Sequence, residues 1–224
     1  MRFLCLHGSG TNSGIFETQT AAIRYELGDQ HTFEFVEGTI PARLAPELEG
    51  TVPLNDKFFS YIDTMSIDSC ASTLVNLDNY LAVEGPFDMV LAFSQGAMIA
   101  ATYIIWKSRQ SPDLPLPFKG AVFLSASGAY DPDLLRKGFL RALTPRVDGN
   151  LIRIPTAHIW GRGDISSRKA SDLSGLCASD TRHIYIHPGG HEIPGARMNG
   201  AVRYIVQIIR RVISLANDTD SCWA

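Results

Sequence analysis

The chain has 224 residues, 45% of them apolar and 19% charged, with 20 Lys and Arg against 23 Asp and Glu for a net charge of −3. That length suits one domain whose core needs no disulfide or metal, and the composition is that of a soluble globular protein. A near-neutral balance without a basic stripe argues against nucleic acid and against membrane surfaces as partners.

The sequence opens on an apolar strand, 2–6 (RFLCL). It is too short for a signal-peptide core or a spanning helix, so a soluble cytoplasmic protein is expected. A helix is predicted over 15–27, started by Asn12-Ser13-Gly14 and stopped at Gly28, followed by a strand over 32–36. Residues 39–66 carry Pro41, Pro46 and Pro53 and then Phe58-Phe59-Tyr61, and fit neither a helical nor a strand pattern. A long irregular segment in an α/β domain is a candidate substrate-covering loop.

A helix over 69–83 has apolar positions at Leu74, Leu77 and Leu81 and ends before Gly85-Pro86. Strand 88–93 (DMVLAF) leads into a mostly apolar helix over 95–109, then a Pro-rich connection over 110–118. Strands follow at 119–125, 154–160 and 182–187. The last helix, 197–215, spaces Val202, Ile205, Val206, Ile209 and Val212 along one face. Short apolar runs alternating with helices predict an α/β fold: a doubly wound, mainly parallel six-stranded sheet in a single domain over 1–224, with little or no separate lid domain.

Cys5, Cys70, Cys177 and Cys222 show no CxxC or zinc-site spacing. They are expected to be buried free thiols, Cys5 in a strand and Cys70 and Cys177 in helices.

The chemistry centres on Ala92-Phe93-Ser94-Gln95-Gly96, which follows an apolar strand and opens a helix. A strand–turn–helix of this kind holds a serine in a sharp turn with its Oγ above the carboxyl edge of the sheet. The turn needs small residues two before and two after the serine, here Ala92 and Gly96. A serine hydroxyl is a weak nucleophile without an adjacent base. Of six histidines, His191 in Pro188-Gly189-Gly190-His191 lies on the loop after the last strand, where this fold keeps its base. His183 and His187 would be fixed in that strand, His31 and His158 have strand roles, and His7 reads as loop scaffold.

The acid that orients the imidazole is expected to be Asp164, in Gly161-Arg162-Gly163-Asp164 beyond strand 154–160. Asp131 is its rival, although Asp131-Pro132 also reads as a helix start. Glu192 is too close in sequence to reach the ring of its neighbour. The oxyanion donors would be the backbone N–H groups of Gln95 and Ser9, with Thr11 and Asn12 shaping the Ser9 loop. Phe58, Phe59, Tyr61 and Trp160 are candidates for an apolar acyl pocket. This chemistry needs no metal or organic cofactor.

The chain resembles the FSH family of serine hydrolases, found largely in fungi. The resemblance rests on Leu4-Cys5-Leu6-His7-Gly8 with Thr11-Asn12 and Ile15-Phe16-Gln19, and on Phe33-Glu34-Phe35-Val36-Glu37-Gly38. It continues through Gly85-Pro86-Phe87-Asp88, Phe93-Ser94-Gln95-Gly96 and Gly190-His191-Glu192-Ile193-Pro194. Ala92 departs from the family's usual glycine, and 39–66 is less easily matched. The resemblance implies a compact α/β-hydrolase with Ser94, Asp164 and His191 as its triad. It also implies a serine esterase or thioesterase, including types that release polyketide chains in fungal secondary metabolism from a carrier protein. A general small-ester carboxylesterase, an acyltransferase and a silent binding protein on the same fold are the alternatives.

Overall fold

The computed structural model describes residues 1–52 and 56–218. Pro53 and Cys222 lie outside the described residues. The elements run β1 (Arg2–Leu6), α1 (Ser13–Leu27), β2 (Thr32–Val36), β3 (Ile40–Ala42), β4 (Phe58–Ser60), α2 (Ile67–Glu84), β5 (Met89–Phe93), α3 (Gln95–Gln110) and β6 (Gly120–Leu124). Then come α4 (Pro132–Leu135), α5 (Pro145–Asp148), β7 (Thr156–Gly161), α6 (Ser167–Gly175), β8 (Arg182–His187) and α7 (Asn199–Asp218). Six strands form one parallel sheet in the order β2-β1-β5-β6-β7-β8.

Alternation along the central strands divides the core. In β5, Met89, Leu91 and Phe93 face α1 and α7, whereas Val90 and Ala92 face the opposite layer with α2 and α3. Successive strand side chains point to opposite faces, so a sheet covered twice must be apolar at every position. β5 and β6 are buried throughout. α3 is buried from Gln95 to Trp106, which explains its apolar character all round. α7 instead buries Val202, Ile205, Val206, Ile209 and Val212 and leaves Arg203, Arg210 and Arg211 outside. Among the described residues no helix is long and apolar enough to cross a membrane.

Two expectations need correction, and one helix was not foreseen. Residues 39–66 are not wholly irregular: β3 and β4 pair antiparallel, with Ile40 opposite Ser60 and Ala42 opposite Phe58. Strands of three residues, one of them Pro41, are too short to show a period. Helix α6 gives no sequence signal because Ala170 and Leu173 are its only buried apolar positions. Cys177 follows that helix and bridges to Ile152 in extended backbone, so it is a buried thiol but not a helical one.

Candidate active site

The carboxyl ends of β5, β7 and β8 converge at one edge of the sheet, where open parallel sheets bind their ligands. β5 ends at Phe93 and α3 starts at Gln95, leaving Ser94 alone to reverse the chain at φ 50° and ψ −110°. A non-glycine residue with positive φ is strained, and such strain concentrates at functional sites. The turn is held by the Ser94 N–H donating to Leu124 O at 2.9 Å and the Gly96 N–H donating to His7 O at 3.2 Å. A Cβ on Gly96 would stand 2.5 Å from Leu6 O and 2.6 Å from His7 O, so α3 can start this close to β1 only with glycine there.

His191 rides on the loop after β8. That loop packs on the turn after β7, with the Arg162 N–H bonded to His187 O at 2.8 Å and the Gly163 N–H to Gly189 O at 2.9 Å. A Cβ on Gly161 would run into the carbonyls of Gly189 and Gly190, so the glycines permit this contact. The result brings three side chains into line. His191 Nδ1 lies 2.8 Å from Asp164 Oδ1, and His191 Nε2 lies 3.0 Å from Ser94 Oγ. Asp164 Oδ1 also accepts the Ser166 N–H at 2.6 Å, and the carboxylate is fully buried. An ionised Asp164 makes Nδ1 the protonated nitrogen of a neutral His191. Nε2 is then an acceptor, and the Ser94 hydroxyl donates to it.

Asp131 is occupied elsewhere. It caps α4 by accepting from the N–H groups of Asp133 and Leu134, and it pairs with Arg141 at 2.6 Å and Arg109 at 3.3 Å. Burial works to raise its pKa, but Arg141, the two amides and Arg109 outweigh it and hold the carboxyl below its ordinary value. None of the other five histidines bonds to Ser94 among the described residues. His7 is a scaffold: its Nε2 accepts the Gly38 N–H at 2.9 Å and its Nδ1 donates to Gly8 O at 2.7 Å. Burial lowers its pKa, against the pull of Glu37.

The Ser9 loop is pinned from two sides. Thr11 Oγ1 donates to Gly8 O at 2.8 Å, and the Gly10 N–H donates to Phe59 O at 2.9 Å. Ser9 Oγ meets Ser60 Oγ at 2.6 Å. Gln95 opens α3, where a first-turn N–H has no helical partner, and its side chain accepts the Tyr61 N–H at 2.8 Å. The positive end of α3 therefore faces the region beside Ser94.

A groove of about 830 Å³ runs along Ser9 and Gly10, next to Ser94 only through the Ser9 loop, and its wall mixes Ala42, Leu44, Ala45 and Pro46 with the charged Arg43, Glu47 and Glu49. None of the four aromatics expected to line a pocket walls this groove, while Tyr61 lines a second cavity of about 150 Å³ together with Val36, Leu77 and Tyr80. Tyr61 and Trp160 are packed in the core, and the Tyr61 hydroxyl is held between the His7 N–H and Val36 O. Phe58 and Phe59 are half-buried in β4, spent on pairing with β3. The groove residues gave no sequence signal, because the β3–β4 pairing and the Ala45 N–H donating to Gly10 O at 2.9 Å, both tertiary contacts, hold this segment against the Ser9 loop. Another residue missed from sequence is Ser127, whose Oγ lies 3.4 Å from Ser94 Oγ. Among the described residues, no group of His, Cys, Asp and Glu could hold a metal ion.

Comparison with known proteins agrees with this fold. The model of a family described as serine hydrolase (FSH1) matches residues 1–200. Esterase FPY3 of Fusarium mangiferae is 40% identical over 199 residues, covering 87% of this chain and 88% of the relative. Hydrolase phiM of a fungal species is 31% identical over 199 residues, covering 86% of each. Among solved structures, a variant of SOBER1 from Arabidopsis thaliana superposes with a TM-score of 0.60 at 17% identity, over 95% of this chain and 99% of that one. A carboxylesterase of Bacillus cereus gives 0.53 at 15% identity, over 92% and 87%.

Proposed function

The chain belongs to the FSH1 family of serine hydrolases, and from that premise we propose that Ser94, His191 and Asp164 form a triad working through an acyl-serine. The chain is an ester-hydrolysing enzyme. The observation that carries the residue roles is the unbroken line from Asp164 Oδ1 through both ring nitrogens of His191 to Ser94 Oγ.

In this mechanism Ser94 Oγ attacks the substrate carbonyl as its proton passes to His191 Nε2. Buried Asp164 holds the ring and stabilises the imidazolium. The amides of Gln95 and Ser9 receive the oxyanion. His191 then protonates the leaving alcohol or thiol. Water repeats the sequence on the acyl-enzyme and frees the acid.

The acyl portion lies in the groove along Ser9 and Gly10, against Ala42, Leu44, Ala45 and Pro46 with Arg43, Glu47 and Glu49 at the same wall, and its volume is within the range of ligand pockets. A groove of that size beside the oxyanion loop favours an extended acyl chain over an acetyl group. The bond cleaved includes thioesters, and the substrate class is a polyketide-type acyl chain presented by a carrier protein. The family resemblance read from the sequence, which extends to fungal enzymes that release polyketide chains, supports this reading.

The test is a series of N-acetylcysteamine thioesters and p-nitrophenyl esters from two to eight acyl carbons. Each methylene buried is worth about 0.8 kcal/mol, so kcat/KM should rise about fourfold per added methylene until the groove is filled. Turnover of p-nitrophenyl acetate with no thioester cleavage and a flat chain-length profile would instead mark a small-ester carboxylesterase.

A further inference from the structure

Ser94 is not the only strained residue at this edge of the sheet. Ser125, the first residue after β6, has φ 44° and is buried. Its N–H donates to Ile159 O of β7 at 2.7 Å, fixing the left-handed turn at the carboxyl end of β6. Among the described residues, Ser94 and Ser125 are the non-glycine positions with positive φ. Strain in a buried turn needs compensation from its surroundings and points to a site. The turn aims the chain back at the nucleophile. The Ser127 N–H donates to Ser94 O at 3.3 Å, and Ser127 Oγ comes to 3.4 Å from Ser94 Oγ.

The proton count decides the direction of this contact. With Ser94 donating to His191 Nε2, a hydrogen bond between the hydroxyls has Ser127 as donor and Ser94 Oγ as acceptor. The contact is long for two hydroxyls, as catalytic hydrogen bonds often are before substrate binds.

We propose that Ser127 is a further catalytic residue, whose hydroxyl donates to Ser94 Oγ and speeds deacylation. The proposal rests on Ser94 being the nucleophile. In the acyl-enzyme Oγ is an ester oxygen and a poor acceptor. In deacylation His191 takes a proton from water while the water oxygen bonds to the acyl carbon. The tetrahedral intermediate then collapses: the carbon–Oγ bond breaks, its electron pair goes to Oγ, and His191 returns the proton there. A donor aimed at Oγ stabilises that growing charge. In acylation Oγ loses electron density, so the same hydrogen bond gives no help. Ser127 therefore favours the free enzyme over the acyl-enzyme.

The test is Ser127→Ala, assayed with p-nitrophenyl butyrate, whose phenolate leaves readily so that deacylation limits turnover. The variant keeps the main-chain bond from residue 127 to Ser94. It should lower kcat about 3- to 10-fold, the effect of one ordinary hydrogen bond, while kcat/KM, which reports acylation, stays within about twofold. Intact mass during turnover should show a larger fraction of enzyme carrying the butyryl group. Ser127→Thr, which restores the hydroxyl, should recover kcat. An unchanged kcat, or kcat and kcat/KM falling together, would overturn the role of Ser127. Labelling by a fluorophosphonate separates the two ideas. Where the kinetics overturn the role of Ser127, labelling of both wild type and Ser127→Ala on Ser94 leaves the nucleophile assignment standing; a wild type that is not labelled on Ser94 overturns that assignment as well.

Discussion

Replacing Ser94 with alanine is expected to reduce kcat about 10⁶-fold on p-nitrophenyl butyrate while leaving a cooperative thermal transition in place. That size of loss is what removal of the nucleophile costs in a serine protease, where catalysis through the acyl-enzyme accounts for most of the rate. The fold should tolerate the change. Among the described residues the Ser94 hydroxyl bonds only to His191 and, loosely, to Ser127, and neither bond supports the core. The strained turn is held by backbone bonds to Leu124 and His7, which alanine keeps. The Gln95 and Ser9 amides remain, so a small residual rate from oxyanion binding is expected. A kcat within tenfold of wild type would remove Ser94 from the reaction.

The next largest effect is expected at Asp164. Asp164→Asn should lower kcat about 10⁴-fold, because the amide can donate to Nδ1 and select the tautomer that carries its proton on Nε2. His191 would then point a donor at Ser94 Oγ, where an acceptor is required. Asp131→Asn is the control. Its carboxylate caps α4 and binds Arg141 and Arg109, so the loss should be read in melting temperature and not in kcat. Asparagine keeps the cap of α4, so the loss comes from the two ion pairs, a contribution that solvent weakens, since both arginines are about a third exposed. Paired measurements of kcat and of the thermal midpoint on the two variants separate the roles. If Asp131→Asn is the variant that cripples turnover, the acid has been misassigned.

What could be read from the sequence follows from where the information is local. Strand β5, apolar at every position and followed by Ser94-Gln95-Gly96, announces both a central strand and a tight turn, because each requirement acts within a few residues. The glycines at 161, 189 and 190 likewise mark two close-packed loops, and those loops carry Asp164 and His191. The β3–β4 pair was hidden because Pro41 and a three-residue length erase any period. The place of the aromatic cluster was not legible for a related reason. Tyr61 and Trp160 are as apolar as pocket walls need to be, but the helix layer covers them, and burial in the core is a tertiary property. Ser127 stands 33 residues from Ser94 and owes its position to the left-handed Ser125, which no pattern of residue types encodes.

The central claim is that Ser94 is activated by His191. It is tested most directly by reacting the wild type, Ser94→Ala and His191→Ala with a fluorophosphonate and mapping the adduct by peptide mass. The account predicts a single adduct on Ser94 in the wild type, none in Ser94→Ala, and labelling slowed at least a thousandfold in His191→Ala. An adduct on another residue, or His191→Ala labelling at the wild-type rate, would contradict it.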